Sequence, residues 1–241
     1  MDASEFEART EEVDRLEDLW RLMVAYAREC RVMRLGYHHL PPPAAPDATL
    51  TRIENEGFGE ALLAQYLHAR VNGFAVLANA IQGSTRPVYL DELEASGTLS
   101  VRERAHIAAY RAAGVVNGLG LAVFGPHGRN GLFAIELERD TPRLEPETLG
   151  RLRWGCQTMH LRYCVLLLPT LGKLPSLSSR EAEVLAWVAR GKSNASIGDI
   201  LGISAHTVDA HLRRIYLKLG VFDRISAALR GLGFGLISID A

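Results

Sequence analysis

The stretch SNASIGDILGISAHTVDAHLRR, residues 193–214, constrains this chain more than any other. It holds two helical patterns separated by a glycine corner. Ser193 is placed to cap a helix over Asn194 to Leu201, Gly202 stops it, and Ser204 is placed to cap a second helix from Ala205 to about Leu219. A two-turn helix, a tight corner and a longer capped helix predict a helix-turn-helix. Ile197, Ile200, Leu201, Val208 and Leu212 are expected between the crossing helices, which leaves the far face of the second one free. That face carries His206, Thr207, Ala210, Arg213 and Arg214, short polar and basic groups suited to a groove about 12 Å wide. Ser193 and Ser204 belong to the same surface, and Lys192 and Lys218 at its edges are expected to meet phosphates.

The rest of the chain bounds the setting of that motif. With 241 residues, 48% of them hydrophobic and 23% charged, it can bury a core and is long enough for two unequal domains. The net charge of −1 hides an asymmetry, because the residues from 173 onward hold nine bases against six acids. Three cysteines (Cys30, Cys156, Cys164) without a CxxC spacing argue against a metal site or a disulfide framework and suggest a reducing compartment. The amino terminus lacks a signal-peptide pattern, and the apolar run VLLLPTLG is too short to span a bilayer, so a cytoplasmic location without a membrane partner is expected.

Ahead of the motif the periodicity changes twice. Residues 3–34 place Phe6, Val13, Leu16, Leu19, Trp20, Met23, Val24 and Ala27 on one helical face. Leu35 to Leu40 reads as a short strand before a proline-rich loop, and Phe58 to Arg70 and Gly73 to Gln82 read as helices. Ser100 with Glu103 forms a capping-box pattern. VVNGLGLAVFGPHGRNGLFAIELE is a hairpin signature, its glycines lacking the strand-glycine-helix order of a phosphate cradle. Pro146 opens a long amphipathic helix through Leu167. The order helices, strands, helix predicts an α+β protein. Its parts are an N-terminal α-β-α sandwich with an antiparallel sheet over 1–168, a Pro/Gly/Ser-containing linker over 169–176, and an all-α four-helix domain over 177–241.

Residues 177–229, LSSREAEVLAWVARGKSNASIGDILGISAHTVDAHLRRIYLKLGVFDRISAAL, resemble the helix-turn-helix domain of the LuxR family. The resemblance implies a fourth helix, Arg224 to about Leu236, that serves dimerisation, and a homodimer on a roughly palindromic duplex DNA site. Gly198 stands where that family usually has alanine, Asp209 where it usually has a basic or amide residue, and Leu217 where it often has Arg or Lys. The last two predict a shallow salt dependence. Gly198 is expected to cost its helix up to about 1 kcal/mol relative to alanine.

Residues 1–168 resemble the autoinducer-binding domain of quorum-sensing LuxR regulators through GYHHLP, the Tyr66 helix, STRPVYLDEL and the glycine-rich hairpin. They lack the alternating βα order of a phosphorylated receiver domain. The resemblance implies a pocket for an acyl-homoserine lactone, held by two tryptophans, a tyrosine and an aspartate. Here Leu62, Ala75 and Leu90 fall at the first tryptophan, the aspartate and the second tryptophan, and the tyrosine, Tyr66, remains. Each desolvated lactone polar group left unpaired costs about 1–3 kcal/mol, so ordinary acyl-homoserine lactones are expected to bind poorly.

The candidate pocket comprises Tyr37, His39, Leu62, Tyr66, Ala75 and Leu90. It is expected to take an apolar or aromatic signal, or to be filled by its own side chains. His38 and His39 face opposite sides of a strand and suggest no metal site. No nucleophile, base and orienter occur together, so no enzyme activity, catalytic residue or cofactor is expected. The implied function is that of a dimeric, sequence-specific transcriptional regulator, a LuxR solo with a diverged signal pocket. The alternative is a ligand-responsive quorum-sensing regulator for a non-standard lactone or another small apolar signal.

Overall fold

The amphipathic stretch at the start of the chain forms two helices, α1 (Ala3–Glu12) and α2 (Leu16–Glu29), where one was expected. Asp2 caps α1, and extended backbone at Val13 and Arg15 makes the break. Both halves keep one apolar register because both pack on the same long helix, α7 (Pro146–Leu167). Arg31, in the left-handed region at φ 63°, turns the chain into β1 (Val32–Leu40), which starts three residues before the expected Leu35. Pairing of Val32 with Leu137 pulls those residues into the sheet.

The computed structural model describes residues 1–172 and 174–238, so Lys173 of the expected linker and the last three residues of the expected second domain lie outside the described residues. The chain forms two units. The first is Met1–Leu40 with Thr51–Leu167, and the second is Pro41–Leu50 with the residues from Leu168 on. Pro41–Leu50, expected within the N-terminal domain, therefore groups with the second unit. There Gly233 approaches its backbone so closely that a methyl group would sit 2.7 Å from the Ala45 nitrogen.

In the first unit an antiparallel sheet runs β2-β1-β5-β4-β3. Its other strands are β2 (Arg52–Glu56), β3 (Val88–Tyr89), β4 (Gly118–Phe124) and β5 (Asn130–Leu137). A 3-10 turn over Pro126–Gly128, with His127 at φ 55°, closes the expected hairpin. β2 has the sequence RIENE, without an apolar alternation to announce it, and lies on the sheet edge, where charge is tolerated.

In β1–β5 register, Gly36 faces Ala134, Tyr37 faces Phe133 and His38 faces Leu132. Tyr37 and His39 therefore share one sheet face and Gly36 and His38 the other. α7 covers the Tyr37 side, where Tyr37 meets His160. The other side carries α3 (Glu60–Val71), α4 (Val76–Gln82), α5 (Leu90–Ala95) and α6 (Val101–Ala112), with Ser100 and Glu103 capping α6 reciprocally as expected.

The second unit contains α8 (Ser179–Ala189), α9 (Asn194–Leu201), α10 (Ala205–Leu219) and α11 (Arg224–Gly233). Ser178, Ser193, Ser204 and Asp223 cap them, and Gly202 and Gly220 end α9 and α10 in left-handed conformation. Val184, Leu185, Ile197, Val208, Leu212, Ile215 and Ala227 fill its core. Ile200, expected in that core, is 46% exposed. The inward face of α9 is centred on Ile197 and Gly198, and this turns Ile200 to solvent. α11 ends at Gly233, before the expected Leu236. Among the described residues no helix is long and apolar enough to cross a membrane.

Candidate nucleic-acid interface and ligand cavity

Helix α10 is held by its start, its buried stripe and its end. Ser204 Oγ accepts from the Thr207 N–H at 3.0 Å and contacts the Thr207 hydroxyl at 2.8 Å, which fixes the first turn. Val208, Leu212, Ile215 and Leu219 are buried at spacings of three and four. The remaining surface leaves His206, Arg213, Arg214 and Lys218 exposed, with Thr207 and Ala210 half-buried between them. Lys192 is exposed and Ser193 Oγ accepts from the Ser196 N–H at 3.2 Å, so both flank α9 at its beginning. The nine residues expected to form the DNA-reading surface thus lie on the α9–α10 motif and the turn leading into it.

Electrostatics qualify that surface through one pair within α10 and one cluster that reaches α8. Arg213 pairs with Asp209 one turn before it at 2.8 Å. Lys218 reaches Glu181 of α8 at 2.6 Å, and Arg214 approaches the same carboxylate at 3.9 Å. Glu181 is almost fully buried and also accepts from the Ser178 N–H at 2.8 Å, closing the capping box of α8. Burial pushes its carboxyl up, but Lys218 and the Ser178 N–H and hydroxyl outweigh that and hold it below the usual carboxylate range. One buried acid therefore fastens α8 to the last turn of α10 and draws on two cations of the expected DNA-reading surface, Lys218 at its edge and Arg214 on its groove-facing side.

In the first unit a cavity opens between the sheet and α3. It holds about 440 Å³ of empty space, part of it continuous with solvent, and its wall includes Gly36, Phe58, Leu62, Tyr66, Tyr110 and Ala134. Leu62 and Tyr66 stand one turn apart on α3, which is why they share this wall, and Phe58, expected to begin that helix, lies just before it. Of the six expected pocket residues, Tyr37, Leu62 and Tyr66 are in the wall, and His39, Ala75 and Leu90 are not. Ala75 sits in a packed cluster with Ala69, Ala78 and Ile81, and Leu90 packs with Val76, Ile107 and Val115. Tyr37 turns its hydroxyl away, to His160 of α7 at 2.8 Å. His39 lies on that same side, its ring 5.5 Å from Tyr163.

Polar atoms around the cavity already have partners. Tyr66 Oη and His38 Nδ1 are 2.6 Å apart, Tyr110 Oη and His106 Nε2 are 3.1 Å apart, and Asn55 Nδ2 donates to the Phe58 carbonyl at 2.8 Å. Burial pushes His38 down to about 4 and the Tyr66 hydroxyl well up, so at neutral pH the pair is an uncharged hydrogen bond. Phe58 and Tyr110 were not singled out in the sequence, and His38 was read there with His39 only as facing the opposite side of the strand. Phe58 alone had a local signal there, standing one turn before Leu62.

Comparison with known proteins follows the same division. Residues 15–163 match the model of the autoinducer binding domain, and residues 175–230 match that of bacterial regulatory proteins of the luxR family. y4qH of Sinorhizobium fredii, named as an HTH-type transcriptional regulator, is 30% identical over 173 residues, 69% of this chain and 52% of the relative. The transcriptional activator protein SolR of Ralstonia solanacearum is 33% identical over 133 residues, 53% of this chain and 56% of SolR. The chain thus spans about half the length of these curated relatives. Among solved structures, Escherichia coli SdiA superimposes with a TM-score of 0.75 at 20% identity, covering 97% of both chains, which establishes likeness of fold. The complex of SdiA with octanoyl-rac-glycerol gives 0.71 at 18% identity, covering 97% of this chain and 94% of that one.

Proposed function

The chain belongs to the LuxR family of bacterial regulators that carry an autoinducer-binding domain, and from that membership we propose that it is a dimeric, sequence-specific transcriptional regulator whose signal pocket has diverged from acyl-homoserine lactones. Residues 1–168 act as the signal and dimerisation domain, 169–176 as linker and 177–241 as the DNA-binding domain, working in the cytoplasm. His206, Thr207, Ala210 and Arg213 meet base edges, while Lys192, Arg214 and Lys218 meet phosphates on a roughly palindromic duplex site.

The observation that carries the divergence is the closed hydrogen bonding of the cavity. A lactone needs partners for its amide N–H and ring carbonyl, and the tyrosine left to supply one, Tyr66, already engages His38 at 2.6 Å. Leu62 in the wall has no polar atom, and Ala75 and Leu90, outside the wall, lie in apolar clusters that back it through Tyr66 and Leu62. Such a cavity favours an acyl chain or aromatic ring without a demanding head group. The octanoyl-rac-glycerol bound by SdiA is a suitable probe of that class.

Dimerisation through α11 draws support from Ile225 and Leu229, exposed one turn apart, and from Phe222, 97% exposed just before that helix. Anisotropy titration of genomic DNA fragments, with and without a lactone panel and octanoylglycerol, tests the proposal. Salt-sensitive binding that no lactone alters is expected. Binding that appears only with a lactone would overturn the divergent pocket, and footprints unchanged in Arg213→Ala would overturn the reading face.

A further inference from the structure

On the sheet face opposite the cavity, β1 and α7 bring His39, His160 and Cys164 together. All three are buried, and they offer ligand atoms that lie within 4.8 Å of one another. We propose that these three side chains form a zinc site that joins the centre of the sheet to α7.

The donors fit the ion. Two imidazoles and a thiolate suit Zn²⁺, a borderline-soft cation that takes nitrogen and sulfur in tetrahedral geometry. His160 and Cys164 stand four residues apart on α7, one helical turn, so both point at β1. Cys164 Sγ lies 3.8 Å from His160 Nε2. A tetrahedral zinc with bonds of about 2.3 Å to sulfur and about 2.05 Å to nitrogen sets that edge at about 3.6 Å. The helix therefore already holds two donors at nearly the required separation, and His39 closes the third side.

The surroundings are arranged as an ion would require. Tyr37 Oη lies 2.8 Å from His160 Nδ1, so that it can accept the ring's second N–H and leave Nε2 to the metal. Ligating histidines are commonly oriented in this way. The Arg129 carbonyl, which lies 3.0 Å from His160 Nε2 as a hydrogen-bond partner, is a backbone oxygen within reach of the fourth position once that nitrogen binds the metal.

Two glycines of the β4–β5 hairpin leave room for the group. A methyl at Gly125 would lie 2.7 Å from His160 Nε2 and 3.2 Å from Cys164 Sγ, and one at Gly131 would lie 3.1 Å from His160 Nδ1. Any larger residue at either position would fill this space. No CxxC or HxxxH spacing announces the set, because His39 is more than a hundred residues from its partners along the chain.

The test uses the full chain, expressed in medium supplemented with zinc or with cobalt, because a buried site is loaded most readily during folding. About one metal ion per chain is expected after dialysis. The cobalt form should show a thiolate-to-metal charge-transfer band, and zinc X-ray absorption should show one sulfur near 2.3 Å beside nitrogen near 2.0 Å. Cys164→Ser should remove the band, His39→Gln should lose the metal, and Tyr37→Phe should weaken binding about 10–100-fold while keeping the band. His127→Gln, on the exposed hairpin turn, should change nothing. Protein that carries no metal from either medium, or metal bound without sulfur, overturns the proposal, as does equal binding by Cys164→Ser. The wild-type spectra decide the matter even where a variant fails to fold.

Discussion

Gly198→Ala separates helix propensity from packing. By propensity alone the substitution stabilises α9 by about 1 kcal/mol. In the folded unit, however, the added methyl lies 2.6 Å from the Ile203 carbonyl oxygen and 3.3 Å from the Ala205 nitrogen. Carbon–oxygen contacts of this kind settle at about 3.3–3.6 Å. The deficit is therefore at least about 0.7 Å, and it is met by backbone rather than by a pliable side chain. That backbone is itself held, since the Ile203 N–H donates to the Gly198 carbonyl at 3.0 Å. Relief must shift the start of α10, which carries Ser204, His206 and Thr207. Overpacking of this sort costs about 1–3 kcal/mol, so the net effect is a loss of about 1 kcal/mol.

Amides of α9 and α10 that exchange when this unit opens should then exchange about fivefold faster in the intact variant, because 1.4 kcal/mol corresponds to tenfold. Hydrogen–deuterium exchange resolved on peptides spanning 184–219 reads this directly. Unchanged or slower exchange would refute the steric argument and leave propensity in control.

Glu181→Gln keeps the shape of the α8 cap but removes the charge that holds Lys218 and Arg214. Because Lys218 is half exposed, the stability loss should be only about 1 kcal/mol, while the logarithmic salt slope of DNA binding should steepen by about 1; an unaltered slope would mean that neither cation meets phosphate. Acidification should weaken the metal-free first unit above pH 4. Burial lowers His38 and His160 to about 4, so the unfolded chain binds protons between pH 6.5 and 4 that the folded chain refuses, and stability falls by up to about 3 kcal/mol for each across that window. A urea midpoint that stays flat from pH 7 to 4.5 would contradict this. Glu181 has the opposite sense, its folded carboxyl lying below the unfolded value, so its contribution is present above pH 4.5 and is lost as pH falls further. Tyr66→Phe should lower the melting temperature by leaving His38 without its partner, at about 1–3 kcal/mol; an unchanged melt would mean that the hydroxyl is available to a ligand after all.

What the sequence determined by itself is the set of features decided within one helical turn. Ser193, Gly202 and Ser204 delimit α9 and α10 as read, Ser100 finds Glu103, and Pro146 opens α7, because caps and stops are contacts between residues three or four apart. Local patterns were insufficient where several elements compete for one residue. The spacing of α1 and α2 looked continuous because both pack on α7, β2 lacked apolar alternation, and Ile200 kept helical spacing while Gly198 claimed the inward position.

Strand alternation fixed that His38 and His39 look opposite ways. It did not fix which of them looks at the cavity, since that depends on the register of β1 with β5, nearly a hundred residues on, and on which helices cover each face. For the same reason only the tertiary structure joined Glu181 to Lys218 and His39 to His160 and Cys164. Such contacts follow from packing in three dimensions, which a one-dimensional pattern does not carry.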